Sequence, residues 1–155
     1  MGKRALSVLA VVIALGVAAT LLFVPGASAA PQTRTAKLTG GKEVPGPGDG
    51  NGAGAAIVRT YRQKRRVCFT LTWSGIGPVV AAHIHAGVAG QSGDPVVVFF
   101  QDTQLPQNLK GVSGCTKNVG RKLIGRIQQN PKRYYVNIHT TGFPDGAIRG
   151  QLKRA

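Results

Sequence analysis

The chain has 155 residues, with 20 Lys and Arg against 5 Asp and Glu, a formal net charge of +15, three histidines and two cysteines. Acids this scarce nearly exclude a paired-carboxylate mechanism. The positive excess favours polyanionic partners such as cell-wall polymers, acidic polysaccharides, anionic lipid or nucleic acid, and it carries no information about fold.

Lys3 and Arg4 precede an apolar run from Ala5 to Val24, then "PGASAAP". Basic, apolar and small-residue regions in that order describe a secretory signal peptide, with cleavage expected after Ala29. An uncleaved anchor of this length is the physical alternative. Removing residues 1–29 leaves 126 residues, enough for one domain with its own core. That domain keeps 18 basic residues against 5 acids, a net charge of about +13. No other apolar stretch approaches membrane-spanning length, so the expectation is a secreted, soluble domain with no span after cleavage. Cys68 and Cys115 are then expected to pair in an oxidising compartment. The closed loop of 48 residues is worth ~4 kcal/mol by chain entropy. The competing reading, two free thiols as metal ligands or redox groups, lacks both a C-x-x-C spacing and a neighbouring histidine.

Along residues 30–155 glycine is abundant and β-branched runs recur between turn signals. "TRTAKLTG" (33–40) alternates as a first strand, and "GKEVPGPGDGNGAG" (41–54) is a Gly/Pro-rich loop. "AAIVRTY" (55–61) and "RVCFTLTWSGI" (66–76) flank a basic turn and read as a hairpin. "VVAAHIH" (79–85) and "PVVVFFQ" (95–101) are strands around the turn-rich "GVAGQSGD" (87–94). "DTQLPQNLKGVSGCTKN" reads as a long loop carrying Cys115. "VGRKLIGRIQQN" (119–130) is the one helix, with Val119, Leu123, Ile124 and Ile127 on one face, Asn118 as its cap and Pro131 as its stop. "RYYVNIHT" (133–140), the turn "TGFPDG" and "AIRGQLKR" (147–154) close the domain as a hairpin. About seven short strands and one helix predict an all-β, antiparallel two-sheet β-sandwich of Greek-key type.

The histidines sit in two of these strands. Side chains alternate across a strand, so Val80, Ala82 and Ile84 share the core face while Ala81, His83 and His85 share the other. In "YYVNIHT", Val136 and Ile138 oppose Tyr135, Asn137 and His139; in "AIRGQL", Ile148 and Leu152 oppose Arg149 and Gln151. All three imidazoles, with Asn137, Arg149 and Gln151, thus project from polar faces. His83 and His85 lie ~6.6–7 Å apart along the strand, a feasible spacing for two ligands of one ion. With His139 from a neighbouring strand they would form a site suited to copper or zinc. The alternative is a set of solvated imidazoles that bond turn backbones. No Ser or Cys pairs with them in a nucleophile motif, so no catalytic residue is expected.

"YRQKRR" (61–66) places Arg62, Lys64, Arg65 and Arg66 at a hairpin tip. As a patch it would contact anionic polymers; as a bland feature it blunts a sheet edge with charge. Trp73, Tyr134 and Tyr135 lie in strands, where burial is the commoner fate of such rings.

"AAHIHAGVAGQSGDPVVVFF" and "YYVNIHTTGFPDGAIRGQL" closely resemble the two signature blocks of the CHRD domain, a module of chordin and of bacterial secreted proteins. "LTGGKEVPGPGDGNGAGAAIV" resembles its opening block and "VCFTLTWSGI" its second, so the resemblance covers residues 36–152. It implies an extracellular β-sandwich module. The matched positions are His83, Ile84, His85, Gly87, Gly90, Gly93, Asn137, His139, Pro144, Gly146, Arg149 and Gly150. Ala147 departs from animal versions, which often carry Glu there. Cys68 and Cys115 look similar to a cysteine pair of bacterial members. A fainter likeness, through the H-x-H strand, is to Cu/Zn superoxide dismutase, whose other zinc and bridging ligands are missing here. The sandwich is accordingly expected to be of the superoxide-dismutase or immunoglobulin-like kind.

The expected function is a secreted, non-enzymatic binding or structural module with a metal site at His83, His85 and His139 near Arg149 and Asn137. One alternative is a mononuclear copper redox protein. Another is adhesion to anionic wall polymers through the basic surface, with an unidentified extracellular partner and no specific nucleic acid.

Overall fold

The computed structural model describes residues 30–155; the expected signal segment, residues 1–29, lies outside them. Strand β1 (Gln32–Thr39) leads through a 3-10 turn at Gly40–Lys42 and a long loop into β2 (Ala53–Tyr61) and β3 (Arg66–Ser74). β4 (Val79–Ala86), β5 (Pro95–Phe100) and β6 (Gly111–Thr116) follow, then helix α1 (Arg121–Gln129). β7 (Tyr134–Thr140), β8 (Phe143–Gln151) and the short β9 (Lys153–Arg154) complete the chain.

All pairings are antiparallel, as expected, yet the strands belong to one sheet in the order β5-β4-β7-β8-β1-β2-β3-β6, with β9 beside β1. The sheet curls until its two end strands meet. Thr116 Oγ1 donates to the Val98 carbonyl at 2.6 Å, and Phe69 of β3 stacks on Phe99 of β5 with centroids 4.3 Å apart. The result is a nearly closed, barrel-like shape. Closure of this kind removes exposed sheet edges, which are sites of unwanted pairing.

Alternation fills the interior. Leu38, Val58, Leu71, Ile84, Val136, Ile138 and Ile148, one or two from each of β1–β4, β7 and β8, are fully buried. Each such side chain contributes ~1.5–3 kcal/mol by leaving water. Ile124 and Ile127 of α1 are also fully buried, with Leu123 packed against the same cluster. The helix starts two residues later than expected. Its N-cap is Gly120 without a side-chain bond, because Asn118 is turned into the left-handed region at φ 61° and cannot cap.

Two further expectations change. The Cys115 segment is not all loop: β6 pairs with β3, with Cys68 opposite Cys115 and the two disulfide-bonded. Gly, Ser and Cys carry no apolar alternation there, so the strand is imposed by its partner rather than by pattern. In β4 the buried valine is Val79 rather than Val80. A register shift between Val79 and Ala81 is the cause, since one extra residue reverses the facing of everything before it.

Candidate metal centre

β7 is buried along its whole length. Tyr134, Val136 and Ile138 belong to the core, and the opposite face holds Tyr135, Asn137 and His139. That face was expected to be polar. It is polar and covered, by the loop between β4 and β5 and by the loop after β1. Pairing aligns His83 with Asn137 and His85 with Tyr135 on one side, and Asn137 with Arg149 and Tyr135 with Gln151 on the other. His139 sits opposite Ala81, one step along the same face from His83.

The covering loop, residues 87–94, is fixed at three points by side chains from this face. Gln151 Nε2 donates to the carbonyls of Gly87 (2.6 Å) and Lys132 (2.8 Å). Arg149 Nη2 donates to the Gln91 carbonyl at 2.9 Å. At Gly93 the carbonyl accepts from His85 Nδ1 (2.8 Å) and from the Tyr135 hydroxyl (3.3 Å), while its N–H donates back to that hydroxyl (3.2 Å). Only glycine fits here, because a Cβ would lie 1.7 Å from the Ala86 carbonyl oxygen. Tyr135 stacks on His85 with centroids 4.9 Å apart, and the Arg149 guanidinium lies 3.5 Å over the Tyr135 ring.

These contacts set the tautomers. His85 Nδ1 faces the Gly93 carbonyl and His139 Nδ1 faces the Pro144 carbonyl at 2.9 Å. A carbonyl only accepts, so both Nδ1 atoms carry the hydrogen and both Nε2 atoms keep a lone pair. His83 Nδ1, 3.2 Å from His139 Nε2, is then the donor in that pair. One ring nitrogen from each of the three histidines lies within 4.8 Å of the others. Burial lowers all three pKa values. His83 is held at about 4, by burial first and then by His139 and His85. His85 and His139 are lowered by burial against the opposing pull of the Gly93 and Pro144 carbonyls. The imidazoles are therefore neutral at neutral pH, the form that binds metal.

The donor chemistry suits a transition ion, and the closest pair has the spacing of two of its ligands. Two nitrogens sharing one tetrahedral ion at ~2.0–2.1 Å lie about 3.3 Å apart, close to the 3.2 Å between His83 and His139. Backbone carbonyls on the far nitrogens are the usual outer support of a metal-binding imidazole. Among the described residues His85 Nε2, the lone-pair nitrogen of its ring, is buried without a hydrogen-bond partner, which is costly for a group that has no further role.

A carboxylate that sequence reasoning passed over completes this face. Glu43 is buried, and its Oε2 accepts from Asn137 Nδ2 at 3.3 Å. Gly146, at φ 147°, leaves the space, since a Cβ there would stand 2.6 Å from Glu43 Oε2. The signal was available: Glu43 is the only glutamate in the chain. Burial raises its pKa to about 7, with Arg149 and Asn137 opposing. A carboxyl raised above its unfolded value stabilises the fold below about pH 4.5 and loses that contribution as pH climbs through about 7. Glu43→Gln, which keeps the shape of the protonated form, is thus expected to gain on the wild type by on the order of 2–3 kcal/mol between pH 4.5 and 8. Urea unfolding of both proteins across that range measures the difference.

Of the other anticipated residues, Arg62, Lys64 and Arg65 are exposed in the β2–β3 turn. Arg66 stands apart from them, half-buried with its guanidinium 4.8 Å over the Tyr61 ring. Ala147 is fully buried, and Glu43 is the carboxylate whose titration responds to Arg149.

The family model for the CHRD domain matches residues 34–152. The chain belongs to the CHRD domain family. No curated protein and no solved structure matches it. Among the described residues of this CHRD protein, no helix is long and apolar enough to cross a membrane.

Proposed function

We propose that this CHRD protein is an exported, non-enzymatic binding module that holds one copper or zinc ion on His83, His85 and His139. One observation carries the reading: three neutral imidazoles present ring nitrogens within 4.8 Å of one another, two of them oriented through Nδ1–H bonds to fixed carbonyls. To hold the ion through Nδ1, His83 would take the other tautomer, its one ring hydrogen leaving the His139 contact for Nε2. Three protein ligands leave a coordination position open, which supplies a point of attachment for a donor atom from a partner. Copper and zinc both suit imidazole donors.

The test is equilibrium dialysis of the purified protein against copper or zinc, followed by metal analysis. About one ion per chain is expected. Metal at the level of a histidine-free control protein would overturn the proposal and leave the imidazoles as supports for the Gly93 and Pro144 turns.

A further inference from the structure

A basic region lies on the side of the molecule formed by β1, β9, the β2–β3 turn and the end of α1. Two cavities of about 190 and 510 Å³ share Gln32, Arg62 and Gln128 in their linings. Lys64 lines the smaller, and Arg34 and Arg154 line the larger. No Asp or Glu side chain lines either one.

The larger cavity brings like charges together. Arg34 and Arg154 are directly opposite in the β1–β9 pairing, an arrangement that costs stability unless an anion offsets it. Arg34 is buried. It is held by the Thr33 carbonyl and Gln32 Oε1, both at 2.7 Å, and by the Gln128 carbonyl, all neutral groups. Among the described residues its Nε has no hydrogen-bond partner. Burial and then the Arg154 charge both press against its cationic form. Three arginines line the larger cavity with no Asp or Glu side chain, and the Ala155 carboxylate in the same lining offsets at most one of them, so positive charge is left to be balanced from outside.

We infer that these adjoining cavities bind successive phosphate groups of an anionic chain. Guanidinium groups present planar, multi-hydrogen forks that match phosphate oxygens. Two cavities that share Arg62 in their linings suit a repeating anion better than a single one. The site extends the exposed Arg62–Arg65 turn to the buried Arg34 and the exposed Arg154, and it is independent of the histidine centre.

Binding of inorganic polyphosphate and of poly(glycerol phosphate) is measured by calorimetry over a range of salt concentrations, with polygalacturonate as a carboxylate control. Arg62→Ala/Arg154→Ala removes two exposed charges from the cavities. Lys37→Ala/Lys42→Ala removes the same charge from exposed positions outside both cavity linings. The first pair is expected to weaken phosphate-chain binding about tenfold or more and to lower the slope of log affinity against log salt by between about one and two. The second pair is expected to weaken it less than about threefold. Whichever phosphate chain binds more tightly identifies the source, and either supports the site. Equal weakening by the two pairs, polygalacturonate binding as tightly as phosphate, or no phosphate-chain binding would overturn it.

Discussion

His139→Ala is expected to reduce bound copper or zinc from about one ion per chain to background. Disturbing outer-shell groups alone costs ~10–100-fold in metal affinity, so loss of a ligand should exceed about 100-fold. His139 completes a triangle of rings: its Nε2 faces His83 Nδ1 at 3.2 Å and its ring lies 5.9 Å from that of His85. The substitution also removes the Nδ1–H bond to Pro144, worth ~1 kcal/mol, so circular dichroism should show an intact, slightly less stable fold. Competition against a chromophoric chelator reads the affinity. Metal binding that survives the change would remove His139 from the site.

Gly93→Ala is the second large effect, and it acts without touching a ligand. A Cβ at residue 93 would stand 1.7 Å from the Ala86 carbonyl oxygen and 2.9 Å from its carbon. Neither backbone segment is free to move. Ala86 N–H donates to the Asp94 carbonyl at 3.0 Å, and Gly93 itself bonds both His85 and Tyr135. The loop must lift, which releases the carbonyl that orients His85 and the hydroxyl partner of Tyr135. A loss of ~2–4 kcal/mol in stability is expected from the overpacking and the broken bonds. Metal affinity should fall ~10–100-fold, as for other lost outer-shell supports. Thermal unfolding and the same chelator competition measure the two effects. An unchanged affinity beside a lowered melting temperature would mean that the Gly93 carbonyl does not orient His85 for metal.

Much of this arrangement was legible in period-two patterning. Ile84, Val136, Ile138 and Ile148 face inward as their alternation requires, and that alternation alone places His83, His85, His139, Asn137 and Arg149 on one side of three strands. Periodicity stops at the strand, however. It gives the facing of Asn137 and His139 but not what lies over them, so burial of that face beneath residues 87–94 was invisible until the loops were in place. The bulge beside Val79 carries no signature in "VVAAHIH", and β6 carries none in "GVSGCT", since both are set by the neighbouring strand. The curl that brings β5 to β6 depends on pairings between distant segments, and short-range pattern is silent on those. Glu43 lay within a Gly/Pro-rich loop, where its rarity was the only clue.

X-ray absorption spectroscopy of the copper- or zinc-loaded protein counts the imidazoles on the ion. A first shell of about three imidazole nitrogens at ~2.0–2.1 Å is expected, reduced by one in His85→Ala. A shell with one imidazole or none, or one unaltered by that substitution, would contradict a centre built from His83, His85 and His139.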